Sequence, residues 1–134
     1  MICRVEIAVD ALAQCAARAG ASFPEEACAL LEGIAAGEVV RVTQVHFTRN
    51  VATDCRHRFE VDPQVLVRLH RTLRAGDTSI VGVWHSHPNG VALPSQTDFA
   101  QAFDPALAWI ITAVTESGPG EARAFRVGPA AFAA

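Results

Sequence analysis

The chain has 134 residues, of which 51% are hydrophobic, and its formal net charge is −3 at pH 7. This length and composition predict a single compact domain over residues 1–134 with one core. The slightly acidic balance lacks the basic footprint of a protein that binds nucleic acid. No apolar stretch approaches the ~20 residues that a membrane span needs, and the N-terminus lacks the pattern of a signal peptide. We therefore expect a cytoplasmic protein.

Strand-like and helix-like stretches alternate along the chain. The predicted strands are 2–8, 27–31, 39–47, 79–84, 107–115 and 122–127, because apolar residues alternate or cluster there. The predicted helices are 11–19, 63–76 and 98–103. Asp10 and Asp62 are candidate helix caps, and Gly20 is a candidate helix end. Alternation followed by a final pair of strands predicts an α/β fold, with a mixed β-sheet packed between helices.

The four cysteines, Cys3, Cys15, Cys28 and Cys55, form no Cys-x-x-Cys pair. In a reducing compartment we expect small buried side chains rather than disulfides, although spacing alone leaves their oxidation state open. Cys28 could act as a nucleophile only beside a histidine base. Its apolar strand context favours a buried structural thiol.

The chemistry is concentrated between Val81 and Asp98. An apolar strand is followed by His85 and His87, and the strand period of two sends both imidazoles to the same face. The sequence Pro-Asn-Gly at 88–90 ends the strand, and Asp98 lies in the first turn of the next predicted helix. Two histidines and a carboxylate could therefore converge on one point. Three protein ligands with a fourth position left for water are typical of catalytic zinc.

The same residues also have a purely structural interpretation. Ser95 and Asp98 have the spacing of a capping box, in which each residue bonds to the backbone N–H of the other. Paired strand histidines could simply form hydrogen bonds in a polar groove. Capping does not exclude metal binding, since a capped helix start is a rigid place from which to present a carboxylate.

The complete motif resembles that of the JAMM (MPN) metallopeptidases. That motif is His-x-His, seven residues, Ser, two residues and Asp, and here it corresponds to His85, His87, Ser95 and Asp98. The match includes a proline after the second histidine and another before the serine. The segment 58–63, Arg-Phe-Glu-Val-Asp-Pro, is similar to a strand-to-helix entry in the small prokaryotic, JAB-like members.

An upstream segment extends the resemblance. The family carries Pro-x-Glu-x-Cys-Gly-Leu-Leu-x-Gly, and residues 24–33 read Pro-Glu-Glu-Ala-Cys-Ala-Leu-Leu-Glu-Gly. Glu26 takes the family's glutamate position, two residues before Cys28, while Ala29 stands where glycine is usual. Because adjacent strand residues face opposite ways, only one of Glu25 and Glu26 can reach the site, and the spacing favours Glu26.

The resemblance implies a fold like that of cytidine deaminases and a zinc-dependent peptidase or isopeptidase with one Zn²⁺ per chain. His85, His87 and Asp98 would be the metal ligands. Glu26 would act as general base and then general acid, and Ser95 would donate a hydrogen bond to the oxyanion.

The resemblance also implies a substrate. Small prokaryotic members are similar to enzymes that trim ubiquitin-like sulfur-carrier proteins, so the expected partner is a C-terminal tail ending in Gly-Gly, with no nucleic acid and no membrane. Three other functions compete with this one. A zinc deaminase would need His-x-Glu and Pro-Cys-x-x-Cys, which are absent from the sequence. A non-catalytic MPN-type scaffold would typically have lost its ligands. A RadC-like DNA-associated protein shares the histidine motif, but the acidic balance and Glu26 count against it.

Overall fold

The computed structural model describes residues 4–101, 106–127 and 132–133. Its helices are α1 (Val9–Ser22), α2 (Pro63–Leu73) and α3 (Gln96–Gln101). Its strands are β1 (Arg4–Ile7), β2 (Cys28–Ala36), β3 (Val39–Thr48), β4 (Ser79–His87), β5 (Ala108–Thr115), β6 (Gly118–Val127) and β7 (Phe132–Ala133). Residues 2–3 of the first predicted strand, residues 102–103 of the last predicted helix and Cys3 lie outside the described residues. No described helix is long and apolar enough to cross a membrane.

The strands form one sheet in the order β1-β3-β2-β4-β5-β6-β7. The β1–β3 and β4–β5 pairs are parallel and the others are antiparallel. Val83 and Trp84 are neighbours in β4 and therefore face opposite sides. Trp84 packs with Cys15 of α1 in one core cluster, and Val83 packs with Leu69 of α2 in the other. The prediction of a mixed sheet between helices is confirmed.

Helix α1 is longer than its sequence predicts. It begins at Val9, and its capping position is Ala8, which makes no side-chain capping bond, so the assignment of Asp10 as the cap was wrong. The helix also passes Gly20 and ends at Ser22. A single glycine inside a helix costs about 1 kcal/mol, which packing can offset. Cys15 and Ala19, both fully buried against the sheet, supply that packing.

Strand β2 also continues past its predicted end. The predicted strand ends at residue 31, but β2 pairs with β3 up to Ala36, and the chain reverses at Gly37, which has a φ of 61°. A register shift lies between Glu32 and Gly33. A Cβ at Gly33 would collide with the Arg41 carbonyl, so this glycine marks a close approach of two strands rather than a turn.

Strand β4 lies in the middle of the sheet and carries both motif histidines at its end. His85 is paired with Cys28 of β2 on one side and with Ile111 of β5 on the other. Helix α2 begins as predicted, because the Asp62 carboxylate accepts a hydrogen bond from the N–H of Gln64 at 3.0 Å. The fold therefore presents the histidines from the end of a central strand, where His85 is paired on both sides and His87 with β5.

Candidate active site

Four titratable side chains converge at the end of β4. Glu26, His85, His87 and Asp98 each offer a ligand atom, and these atoms all lie within 4.8 Å of one another. Their exposed fractions are 5%, 0%, 4% and 1%, respectively. They come from the segment before β2, the end of β4 and the start of α3. Burying so many ionisable groups is costly unless they are paired or hold an ion, so this arrangement identifies a candidate site.

Aromatic side chains surround His85. The Phe59 ring stacks on its imidazole with centroids 4.4 Å apart and planes at 19°, and Trp109 meets it edge-on at 5.4 Å. This burial lowers the pKa of His85, although the hydrogen bond and charge of Asp98 oppose the effect. The environment therefore favours the neutral imidazole, which is the form that binds metals.

The orientation of His87 is set by the loop that follows it. Its Nδ1 lies 3.1 Å from the carbonyl oxygen of Val91, which can only accept, so Nδ1 donates and Nε2 is the atom facing Asp98. The side chain of Asn89 accepts from the N–H of Val91 at 2.9 Å, and Gly90 adopts a φ of 80°. An imidazole held through its other nitrogen is typical of metal-binding histidines.

Asp98 is both a helix cap and a member of the cluster. The Ser95 hydroxyl accepts from the N–H of Asp98 at 3.0 Å, and Asp98 Oδ2 accepts from the N–H of Ser95 at 2.9 Å, so the predicted capping box is present. The same Oδ2 lies 3.2 Å from His85 Nε2 and 2.8 Å from His87 Nε2. Burial raises the pKa of Asp98, but these hydrogen bonds lower it by a larger amount. The net pKa therefore lies well below its usual range.

Glu26 reaches the cluster from the segment ahead of β2. Its N–H donates to the Cys55 carbonyl at 2.7 Å, and its own carbonyl accepts from the side chain of Asn50 at 2.9 Å. Glu25, by contrast, is exposed. Strand alternation does not explain why Glu26 is buried and Glu25 is exposed, because the strand begins only at Cys28. The hydrogen bonds to the 50–55 loop explain it.

The Glu26 carboxyl group is buried but incompletely satisfied. Its Oε1 has no hydrogen-bond partner among the described residues. Burial raises the pKa of Glu26 to about 8, an effect that the nearby His87 opposes. The carboxyl group thus holds a proton far more readily than an exposed glutamate does.

Ser86 helps to position the site, a role that the sequence did not reveal. It occupies the variable position of His-x-His and is fully buried. Its hydroxyl accepts from the N–H of Ala27 at 2.8 Å, and its own N–H donates to the Ala27 carbonyl at 3.0 Å. Together these bonds fix the residue next to Glu26 against the histidine strand. A contact across 59 positions leaves no local sequence signal.

The thiol of Cys28 is a structural group. It is 1% exposed, lies 3.4 Å from the Thr48 hydroxyl, and burial raises its pKa to about 11. A reactive cysteine needs an exposed, stabilised thiolate, and this environment opposes one. Cys15, Cys28 and Cys55 are all free thiols.

The donor set of the cluster fits zinc. Ligands at ~2.0 Å from a tetrahedral ion lie about 3.3 Å apart, and Asp98 Oδ2 lies 3.2 Å from His85 Nε2 and 2.8 Å from His87 Nε2. Two imidazoles and one carboxylate are ordinary zinc ligands. The carboxyl group of Glu26, whose Oε1 has no hydrogen-bond partner among the described residues, belongs to the same cluster. The residues present therefore fit a catalytic zinc centre.

Comparison with known proteins identifies the family. Residues 8–128 match the family described as prokaryotic homologs of the JAB domain. The chain belongs to this family. A curated relative from Haloferax volcanii, named desampylase, is 31% identical over 112 residues, which are 81% of this chain and 79% of the relative.

Solved structures share the fold. A protein of Desulfitobacterium hafniense has a TM-score of 0.82 at 26% identity, with 96% of this chain and 88% of that chain covered. A protein of Salinibacter ruber has a TM-score of 0.72 at 27% identity, with 96% and 86% covered. A JAB1/MPN domain protein from Archaeoglobus fulgidus has a TM-score of 0.51 at 21% identity, with 81% and 77% covered, and this likeness concerns the fold alone.

Proposed function

We propose that this JAB-family chain is a zinc-dependent hydrolase that cleaves the amide bond after the C-terminal Gly-Gly of a ubiquitin-like or sulfur-carrier protein. The observation that carries the proposal is the buried convergence of Glu26, His85, His87 and Asp98 within 4.8 Å. The name of the haloarchaeal relative, desampylase, also supports a hydrolase that removes a ubiquitin-like modifier. The intact donor set disfavours a non-catalytic scaffold.

In this proposal His85, His87 and Asp98 hold the metal. Zinc bound there would supply a Lewis acid for the carbonyl and would lower the pKa of a water molecule to ~7. The chain's own contribution is preorganisation. Phe59 and Trp109 fix the plane of His85, and the Val91 carbonyl fixes the ring of His87. The capping box fixes Asp98 at the start of α3.

Glu26 moves the proton. Its carboxylate would take a proton at Oε1, the oxygen without a hydrogen-bond partner among the described residues, from the attacking water. It would then deliver that proton to the leaving nitrogen, so that the amine departs neutral. The buried surroundings exclude bulk water that would otherwise exchange the proton before the bond breaks.

Ser95 would stabilise the oxyanion. Its hydroxyl accepts one hydrogen bond from the N–H of Asp98, and a hydroxyl that accepts a bond can still donate its own hydrogen. Ser95 is exposed at the start of α3, where a substrate carbonyl could reach it. Such a donor is worth ~100- to 1000-fold in rate.

A Gly-Gly tail suits a metal buried at the end of a strand. Only an extended segment without side chains lets a peptide backbone approach such a site closely. Backbone pairing and shape would then provide specificity, since the chain as a whole is only weakly acidic. We place the reaction in the cytoplasm, a compartment in which the free thiols Cys15, Cys28 and Cys55 would stay reduced.

Metal analysis of wild type and Asp98→Ala tests the ligand assignment. We expect one zinc per wild-type chain and strongly weakened binding in Asp98→Ala, because removing a ligand breaks the three-residue site. Asp10→Ala is a matched control, since Asp10 also lies in the first turn of a helix but is exposed and is not one of the four cluster residues. Stoichiometric zinc at full affinity in Asp98→Ala would refute the assignment.

A further inference from the structure

We propose that Asn50 is a positioning residue that links Glu26 to the part of the site that contains His85. It holds the backbone of Glu26, the proton carrier, and it also holds Phe59, which packs on the ligand His85. The catalytic role of Asn50 rests on the proposed function. The hydrogen bonds that support the inference exist whether or not the chain is a hydrolase.

The side-chain amide of Asn50 is fully used. Its Nδ2 donates to the carbonyl oxygens of Glu26 at 2.9 Å and Arg58 at 3.0 Å. Its Oδ1 accepts from the N–H groups of Ala52 and Glu60, both at 3.0 Å. A primary amide offers two donors and two acceptor lone pairs, so all four are satisfied.

This pattern requires asparagine. If the amide were flipped, its NH₂ would face two N–H groups and its oxygen would face two carbonyl oxygens. Aspartate at position 50 could keep the two accepted bonds, but its second oxygen would face the carbonyls of Glu26 and Arg58 with no hydrogen to give. Alanine would lose all four bonds. The two substitutions therefore separate the donating half of the network from the accepting half.

The NH₂ group of Asn50 holds the backbone of Glu26 in place. The N–H of Glu26 is bonded to the Cys55 carbonyl at 2.7 Å, so both backbone polar groups of this residue are held by the same 50–55 loop. The Cys55 thiol in turn donates to the Ala52 carbonyl at 3.0 Å, which closes the loop on itself. Loss of the Asn50 bond would let the loop and the attached Glu26 backbone shift. A displacement of 1 Å in a catalytic group costs ~100-fold in rate.

Asn50 also brackets Phe59. It bonds to the carbonyl of Arg58 and the N–H of Glu60, the residues on either side. The N–H of Val51 donates to the Glu60 carbonyl at 3.0 Å, which extends this pairing. Phe59 is 5% exposed, and its ring stacks on His85. A loosened Phe59 would free the plane of the ligand, and such supporting contacts are worth ~10- to 100-fold in metal affinity.

The experiment compares Asn50→Ala and Asn50→Asp with wild type and with Thr53→Ala, an exposed position on the same loop. The first readout is hydrogen exchange of the Glu26 amide in metal-free protein, followed by NMR. We expect exchange at least about tenfold faster in both Asn50 variants and unchanged in Thr53→Ala. Both variants lose the bond that Asn50 donates to the Glu26 carbonyl, and the loosened loop would weaken the bond from the Glu26 N–H to the Cys55 carbonyl. Zinc affinity, measured by competition with a chelator, should fall ~10-fold or more in Asn50→Ala.

The second readout is a double-mutant cycle on turnover. Asn50→Ala should lower kcat ~100-fold in wild type with little change in KM, and it should have almost no effect when Glu26 is already glutamine. Equal loss in both backgrounds would show that Asn50 does not act through Glu26. Unchanged exchange of the Glu26 amide in Asn50→Asp would overturn the inference even if Asn50→Ala fails to fold. An inactive wild type would refute the proposed function instead, and the exchange result would still decide the role of Asn50.

Discussion

Replacing Ser95 with alanine separates the capping role that the structure shows from the oxyanion role that we propose for the same hydroxyl. The Ser95 Oγ caps α3 by accepting from the N–H of Asp98 at 3.0 Å, and in the proposed reaction the same group donates to the oxyanion. Losing a helix cap costs about 1 kcal/mol of folding free energy. Losing an oxyanion donor costs about 3 to 4 kcal/mol of transition-state stabilisation. The two effects differ enough to be resolved.

For a chain of this length, 1 kcal/mol corresponds to a fall in Tm of about 3–5 °C. We therefore expect Ser95→Ala to melt only slightly below wild type, to keep its zinc, and to turn over ~100- to 1000-fold more slowly. The assays are thermal unfolding, metal analysis and steady-state cleavage of a Gly-Gly-extended carrier protein.

Asp62→Ala is the matched control for Ser95→Ala. It removes the cap of α2, where the Asp62 carboxylate accepts from Gln64 at 3.0 Å, and Asp62 is no member of the four-residue cluster. It should lose a similar amount of stability and keep its kcat. If Ser95→Ala also retained near-normal kcat, the hydroxyl would be a helix cap and nothing more.

The remaining predictions concern three glutamates, Glu26, Glu25 and Glu32. Glu26→Gln should keep zinc and lose nearly all turnover, whereas Glu25→Gln should resemble wild type; the reverse pattern in a cleavage assay would mean that the proton carrier is misassigned. Glu32 accepts from Thr78 at 2.6 Å and lies 2.7 Å from His46 Nε2, and these bonds lower its pKa in the folded state. Its carboxylate therefore adds stability above about pH 4.5, the unfolded value, and that contribution is lost as the pH falls through the folded pKa. Glu32→Gln should be less stable than wild type by about 1–2 kcal/mol in urea denaturation at pH 7, with a smaller gap at pH 4; an equal gap at both values would contradict this.

The part of the cluster that comes from β4 and α3 could be predicted because its signals are local. His85 and His87 share a strand face by the period of two, and Asp98 is tied to Ser95 by a capping box three residues long. Each inference needs only a few neighbouring residues. Their convergence follows because α3 comes soon after β4, so the turn between them is short.

The other part needed information that local patterns do not hold. Glu26 was assigned through a family resemblance, and the physical reason for its position is a set of contacts with a loop about 25 residues away. Asn50 and Ser86 carry no local signal of their roles, since hydrogen bonds between distant segments leave no periodicity. The extents of α1 and β2 were missed for a related reason. Gly20 and Gly33 look like breaks in a sequence, but tertiary packing and a β-bulge accommodate them.

The central claim is tested most directly by mass spectrometry of a small ubiquitin-like carrier protein that bears one extra residue or a short extension after its C-terminal Gly-Gly. Zinc-loaded wild-type protein should release the extension by cutting directly after the second glycine, and a carrier ending in Val-Val before the extension should stay intact. Equal cleavage of the Gly-Gly and Val-Val tails, or no cleavage of either by protein that holds one zinc per chain, would contradict the account.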